Sequence, residues 1–120
     1  MKSKVLVVED DELTLRIIDF VLKKNNFEIV ISKDGADAIK RFDKIKPRLV
    51  ITDIMLPFKS GLEVVQHIKT NSPQTPVVIL SSLGEEETTI EKAFEFGVDD
   101  FISKPFSPNE LVLRIKRLLK

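Results

Sequence analysis

Leu49-Val50-Ile51-Thr52-Asp53 sets a carboxylate directly after a short, β-branched, almost wholly apolar run. A run of that kind suits a strand covered on both faces, the situation of a parallel sheet between helices. Working outward, the same arrangement recurs. Lys4-Val5-Leu6-Val7-Val8 leads to Glu9-Asp10, Val77-Val78-Ile79-Leu80 to Ser81, and Asp100-Phe101-Ile102-Ser103 to Lys104. A further strand, Glu28 to Ile31, is shorter and more polar. Parallel strands bring their like ends to one edge. Glu9, Asp10, Asp53, Ser81 and Lys104 are therefore expected at a single mouth.

Between the strands lie segments of helical period. Leu13, Ile17, Phe20 and Val21 mark the first helix, and Ala38, Ile39 and Phe42 the second, which stops before Pro47. Ser60-Gly61-Leu62-Glu63 reads as a capping box for the third, with Leu62, Val65 and Ile68 as its buried stripe. The fourth opens with Glu85-Glu86-Glu87, carries Ile90, Ala93 and Phe94, and stops at Gly97. Ser107 as N-cap, Pro108 in the first turn and Glu110 start the fifth, whose inner face is Leu111, Ile115, Leu118 and Leu119. Phe20, Phe27, Phe42 and Phe94 are expected in the core, and Met55 is expected to pack. His67, the only histidine, is expected to face solvent.

Strict alternation of strand and helix predicts an α/β domain over 1–120, a three-layer sandwich around a five-stranded parallel sheet. Right-handed crossovers, with the more polar second and fifth strands at the edges, favour the order 2-1-3-4-5. In that order the chain reverses direction between strands one and three, and ligands bind beyond the strand ends at such a switch point. Asp10 and Asp53 border it.

Composition narrows the function. The 120 residues contain no cysteine, and 19 basic side chains balance 19 acidic ones. A neutral domain does not grip nucleic acid through bulk charge. No apolar run approaches the ~20 residues that span a bilayer, and the apolar run after Lys4 is too short for a signal-peptide core. A cytoplasmic setting, with no membrane contact, is the expectation.

The acids carry the chemistry. Two unit charges ~4 Å apart repel by about 4 kcal/mol at an effective dielectric near 20. Crowded carboxylates therefore raise a pKa or hold a cation. Oxygen ligands without histidine or cysteine favour a hard ion, Mg²⁺ foremost. Glu9-Asp10-Asp11-Glu12 on its own reads equally well as an acidic helix start, with Asp11 as the cap. Asp53 tips the balance toward metal, since solubility does not require a carboxylate after a buried strand. Lys104 supplies a mobile cation for phosphate oxygens, and Ser81 a hydroxyl donor to the same group, with Ser82 a weaker candidate.

These residues resemble the receiver domain of bacterial two-component response regulators over essentially the whole chain. The matching stretches are Val7-Val8-Glu9-Asp10-Asp11, Asp53-Ile54-Met55-Leu56-Pro57 with Gly61, Pro76 to Ser82, and Gly97 to Phe106. The resemblance implies a flavodoxin-like (βα)5 fold and a phosphorylation-controlled switch. In it Asp53 would accept a phosphoryl group from a sensor histidine kinase or phosphotransfer protein. Asp10, Asp53 and the Met55 carbonyl would bind Mg²⁺ directly, and Glu9 through water. Lys104 would pair with the phosphoryl group, and the Lys104-Pro105 bond would be cis. Ser81 and Phe101 stand at the switch positions, and the output face would be helix four, strand five and helix five. Phe101 lacks the hydroxyl of the tyrosine common there, so its inward state rests on packing. Ser81 lacks the methyl of threonine.

The stretch Lys104 to Leu111 resembles the winged-helix transcription-factor branch. That branch dimerises through the same face by ion pairs, to which Asp100, Glu110, Arg114 and Lys116 would contribute, with Ile90 at the place of a basic partner. The only catalysis implied is the domain's own phosphorylation and dephosphorylation. The competing reading is a Mg²⁺-dependent phosphohydrolase with an aspartate nucleophile, but such enzymes need a second acid two residues after the nucleophile, where this chain has Met55. A flavin or nucleotide binder would need a glycine-rich phosphate loop, and none is present. A pseudo-receiver that only binds proteins would not need all five site residues.

Overall fold

The computed structural model describes residues 2–56, 58–82 and 87–119. Five strands and five helices alternate: β1 (Ser3–Val8), α1 (Glu12–Lys24), β2 (Phe27–Ser32), α2 (Gly35–Ile45), β3 (Leu49–Asp53), α3 (Gly61–Asn71), β4 (Val77–Ser81), α4 (Glu87–Glu95), β5 (Asp100–Ser103) and α5 (Pro108–Leu118). The strands form one parallel sheet in the order β2-β1-β3-β4-β5. This is the order expected from crossover handedness and edge polarity.

Two apolar layers flank the sheet. On one side Val5, Val7, Ile51, Leu80 and Ile102 meet Leu15, Ile18 and Leu22 of α1 and Leu111 and Ile115 of α5. On the other, Leu6, Val8, Val50 and Ile79 meet Ala38 and Phe42 of α2, Val64, Val65 and Ile68 of α3 and Ala93 of α4. Each fully buried aliphatic side chain contributes roughly 1.5–3 kcal/mol. β3 and β4 are buried at every position, as strands covered on both faces must be.

Helix boundaries follow their caps. The carboxylates of Asp11 and Asp34 and the hydroxyls of Ser60 and Ser107 each accept the backbone N–H three residues on. Gly97, at φ +101°, ends the fourth helical segment through its N–H to the Phe94 carbonyl. The expected cis bond joins Lys104 and Pro105. No helix among the described residues is long and apolar enough to cross a membrane.

Several side chains depart from the sequence expectation. α1 carries two apolar stripes, and the sheet takes Leu15, Ile18, Val21 and Leu22. Leu13 and Phe20 are left exposed, with the Lys24 ammonium 5.8 Å from the Phe20 ring. Phe94 is also exposed, because α4 meets the sheet through Ala93 alone among its fully buried side chains. Met55 does not pack but faces solvent. His67 is half-buried rather than free in solvent: its ring meets Phe42 edge-on and its Nε2 lies 3.0 Å from Asp43 Oδ1, joining α3 to α2. Of the expected acidic start of α4, Glu87 is its first residue; Glu85 and Glu86 lie outside the described residues, as do Pro57 and Leu83.

Candidate metal centre

Register builds the site. Val8 pairs with Thr52, Thr52 with Ile79, and Ile79 with Phe101. One residue further, Asp53 pairs with Leu80 and Leu80 with Ile102. The acids after β1 and at the end of β3 thus stand together at the carboxyl edge. Lys104 joins them because its backbone N–H donates to the Ser81 carbonyl at 2.7 Å, carrying β5 one step beyond its last pair.

The turn after β1 divides its acids by role. Asp11 Oδ2 accepts from the Thr14 N–H at 2.9 Å and hydroxyl at 2.6 Å. These bonds hold its carboxyl below the ordinary value and commit it to α1. Glu9 folds back instead: its Oε2 accepts the N–H groups of Asp10 and Asp11, each at 3.1 Å, and its side chain is wholly buried. Asp10 stays exposed at the rim.

One cation serves the buried acids. Lys104 Nζ donates to Glu9 Oε1 at 2.6 Å and to Asp53 Oδ2 at 3.1 Å. Burial pushes the Glu9 carboxyl above its ordinary value, and the neighbouring Asp53 charge adds to this against the Lys104 bond. Burial pulls the Lys104 ammonium down, but the Glu9 bond and the two carboxylate charges outweigh it and raise the group above its ordinary value.

Glu9, Asp10 and Asp53 each offer an oxygen, and the three atoms lie within 4.8 Å of one another. Three carboxylates against one ammonium leave an excess of negative charge. The donor set is all oxygen and one member opens to solvent. Both features fit a hard divalent ion that keeps some of its water, as Mg²⁺ does. The Lys104 ammonium, bridging the two buried acids, already occupies the place of a cation between them.

The remaining expected residues are near but differ in setting. Met55 reaches the centre through its backbone, its N–H donating to Asp53 Oδ1 over a long 3.4 Å. Ser81 is buried at the end of β4, and Ser82 is exposed at the mouth. Phe101 lies in the row below the acids, half-buried, edge-on to Phe94 with centroids 5.9 Å apart and planes at 89°.

Sequence reasoning missed three features. It gave Glu9 a role through water and Lys104 a role toward phosphate, and did not foresee that the two bond directly. It names Asp100 and Arg114 only as contributors to ion pairs between chains and does not foresee their bond within one chain. Within this chain Asp100 is buried, and its carboxylate takes Arg114 Nη1 at 2.9 and 3.0 Å and Arg117 Nη2 at 2.6 Å. The three-residue spacing of Arg114 and Arg117 on one helix face was the available signal. The third feature is a pair of tight backbone approaches at Gly35 and Gly61.

Comparison with known proteins agrees with this geometry. The family model described as "Response regulator receiver domain" matches residues 5–116. The chain is 40% identical over 122 residues to the phosphate regulon transcriptional regulatory protein PhoB of Escherichia coli, covering 100% of this chain and 53% of that protein. It is 32% identical over 120 residues to the alkaline phosphatase synthesis transcriptional regulatory protein PhoP of Bacillus subtilis, covering 100% and 50%. The chain thus spans about half the length of the curated relatives it matches. Among solved structures, a putative response regulator from Chloroflexus aurantiacus superposes with a TM-score of 0.91 at 27% identity, covering 99% of this chain and 98% of that one. With a matching sheet order, an acidic centre at the strand ends and a family match along nearly its full length, the chain belongs to the response regulator receiver domains.

Proposed function

We propose that Asp53 is the phosphoryl acceptor of a Mg²⁺-dependent switch served by a sensor histidine kinase or a phosphotransfer protein. The observation that carries this reading is the gathering of Glu9, Asp10 and Asp53 oxygens within 4.8 Å, with Lys104 already on Asp53. An Asp53 oxygen attacks phosphorus, the O–P bond forms, and the P–N bond to the donor histidine breaks. Such transfer depends on positioning and charge neutralisation more than on covalent help from the protein. Asp10, Asp53 and the Met55 carbonyl would hold Mg²⁺, with Glu9 reaching it through water. Bound there, the ion supplies positive charge to the oxygens of the transferring group. Lys104 leaves Asp53 Oδ2 for those oxygens while keeping Glu9 as its second partner, so its charge moves little. The same residues would support hydrolysis of the product, the only catalysis assigned to the domain.

The signal then passes through Ser81 and Phe101. A phosphoryl group on Asp53 presents strong acceptors, and the Ser81 hydroxyl is the donor that moves to them. That movement opens room for the Phe101 ring, whose turn inward breaks its edge contact with Phe94 on α4. An aromatic pair of this kind is worth about 0.5–1.5 kcal/mol, small enough for one covalent group to overturn. The face formed by α4, β5 and α5 would be the output surface and a homodimer contact. Asp100 and Arg114 are already joined within the chain, so Glu110 and Lys116 remain for ion pairs across that face, beside the exposed Phe94 and Leu113. The relatives are named transcriptional regulatory proteins. The domain is accordingly read as the cytoplasmic, phosphorylated input of such a regulator, without nucleic-acid contact of its own.

The test is labelling with acetyl phosphate and Mg²⁺, followed by mass spectrometry of the intact chain. The expected result is one added phosphoryl group, lost in Asp53→Asn. Labelling that persists in Asp53→Asn overturns the acceptor assignment.

A further inference from the structure

The loop after β3 carries Met55 and returns to α3, and two glycines let backbone close on backbone around it. Gly61 donates its N–H to the Ile54 carbonyl at 2.8 Å, and a Cβ built on Gly61 would lie 2.1 Å from the Asp53 carbonyl oxygen. That contact closes the loop on itself. The second contact comes from another element. A Cβ on Gly35, the first residue of α2, would lie 1.9 Å from the Lys59 carbonyl oxygen, 2.6 Å from its carbonyl carbon and 2.7 Å from its Cβ. Only a residue without a side chain lets Lys59 sit there.

The loop also holds backbone strain. Phe58 has a positive φ, +66°, although it is an aromatic residue and 87% exposed. Such a conformation is unfavourable for a residue with a side chain and persists only where the surroundings fix it. The Phe58 side chain is too exposed to be the restraint. The backbone of the next residue, Lys59, lies hard against the first residue of α2.

We propose that Gly35 is a positioning residue for the metal centre, holding the β3–α3 loop through Lys59 so that the Met55 backbone and Asp53 keep their binding arrangement. This rests on the reading of the site given above. Gly35 touches none of the acids, and its contribution is the space it leaves empty. A methyl group there must push Lys59 outward, and Lys59 follows the positive-φ Phe58 and lies four residues after Met55 in the chain. Groups that orient metal ligands from behind typically change affinity by about 10–100-fold when altered.

The experiment is Mg²⁺ binding by titration calorimetry on the whole chain, comparing Gly35→Ala with the unsubstituted protein. Phe42→Leu serves as a control that weakens α2 in the core without touching Lys59. Gly35→Ala is expected to weaken Mg²⁺ binding about tenfold or more, with Phe42→Leu unchanged. Equal Mg²⁺ affinity in Gly35→Ala and the unsubstituted chain overturns the inference and leaves the reading of the site intact. No Mg²⁺ binding by the unsubstituted chain overturns that reading, and this inference with it. Should Gly35→Ala not fold, hydrogen exchange on the unsubstituted chain decides. Mg²⁺ is then expected to slow the Asp37 and Ala38 amides, which bond to Asp34 at the start of α2, by about fivefold relative to the Glu110 and Leu111 amides of α5. Equal slowing at both helices overturns the coupling.

Discussion

Asp53 and Asp100 are buried to the same degree, their side chains each 9% exposed, and both are paired with cations, yet they stand on opposite sides of charge balance. Asp53 shares one ammonium with Glu9 and has Asp10 within ligand distance, so its neighbourhood holds more negative charge than positive. Asp100 faces two guanidinium groups and has no second acid bonded to them among the described residues. The first arrangement is left wanting a cation. The second is satisfied within the chain and fastens β5 to α5. Burial of a charged group does not by itself mark a functional site; the sign of what is left over does.

One chemical change should separate the two. Asp100→Asn removes the charge that Arg114 and Arg117 share. The expected loss is about 1–2 kcal/mol in urea unfolding, below the 3–5 typical of broken buried pairs because Arg117 is 63% exposed and can return to water. No change in midpoint would mean that the clamp contributes nothing. Asp53→Asn should act in the other direction. Without metal it removes one crowded charge and leaves Lys104 to Glu9, and a gain of about 1 kcal/mol is expected. With millimolar Mg²⁺ the order should reverse, because only the unsubstituted chain gains from binding. A variant that is less stable in both conditions would break the contrast.

The smallest effect concerns pH. The Glu9 carboxyl is raised in the folded chain above its ordinary 4.5. The folded state therefore holds this proton more tightly than the unfolded one, and its contribution falls as pH rises from 4.5 through the folded value. Asp11 and Glu12, held below their ordinary values, work oppositely, and their contribution is lost as pH falls below 3.8 and 4.5. Comparison with Glu9→Gln isolates the first group. Metal-free melting temperature should decline with pH above 4.5 more steeply in the unsubstituted chain than in this variant. Parallel curves would count against the burial of a strained Glu9 charge.

Much of this architecture is written in local pattern, and the misses have physical causes. β3, β4 and β5 are legible because an apolar run between turn signals has few alternatives. Ser107-Pro108 marks the α5 start because cap chemistry is local. The buried face of α1 is not legible in the same way: Leu13-Ile17-Phe20 and Leu15-Ile18-Leu22 both satisfy helical spacing, and only the crossover decides which stripe the sheet receives. Phe94 and Met55 depart from the pattern because apolarity does not require burial. The gathering of the acids with Lys104 is legible from their places at strand ends. Their mutual bonds are not, since side-chain direction over 95 residues of separation depends on the assembled sheet. Gly35 gives no chemical signal at all; its meaning lies in what another loop does beside it.

Glu9, Asp53 and Lys104 stand at the carboxyl ends of the first, third and fifth strands in chain order, and this has a consequence for synthesis. No contiguous fragment carries the centre. A nascent chain that has formed β1 and β3 but still lacks β5 would bring its acids together with no ammonium between them. The final strand therefore delivers both the last edge of the sheet and the neutralising charge between the buried acids.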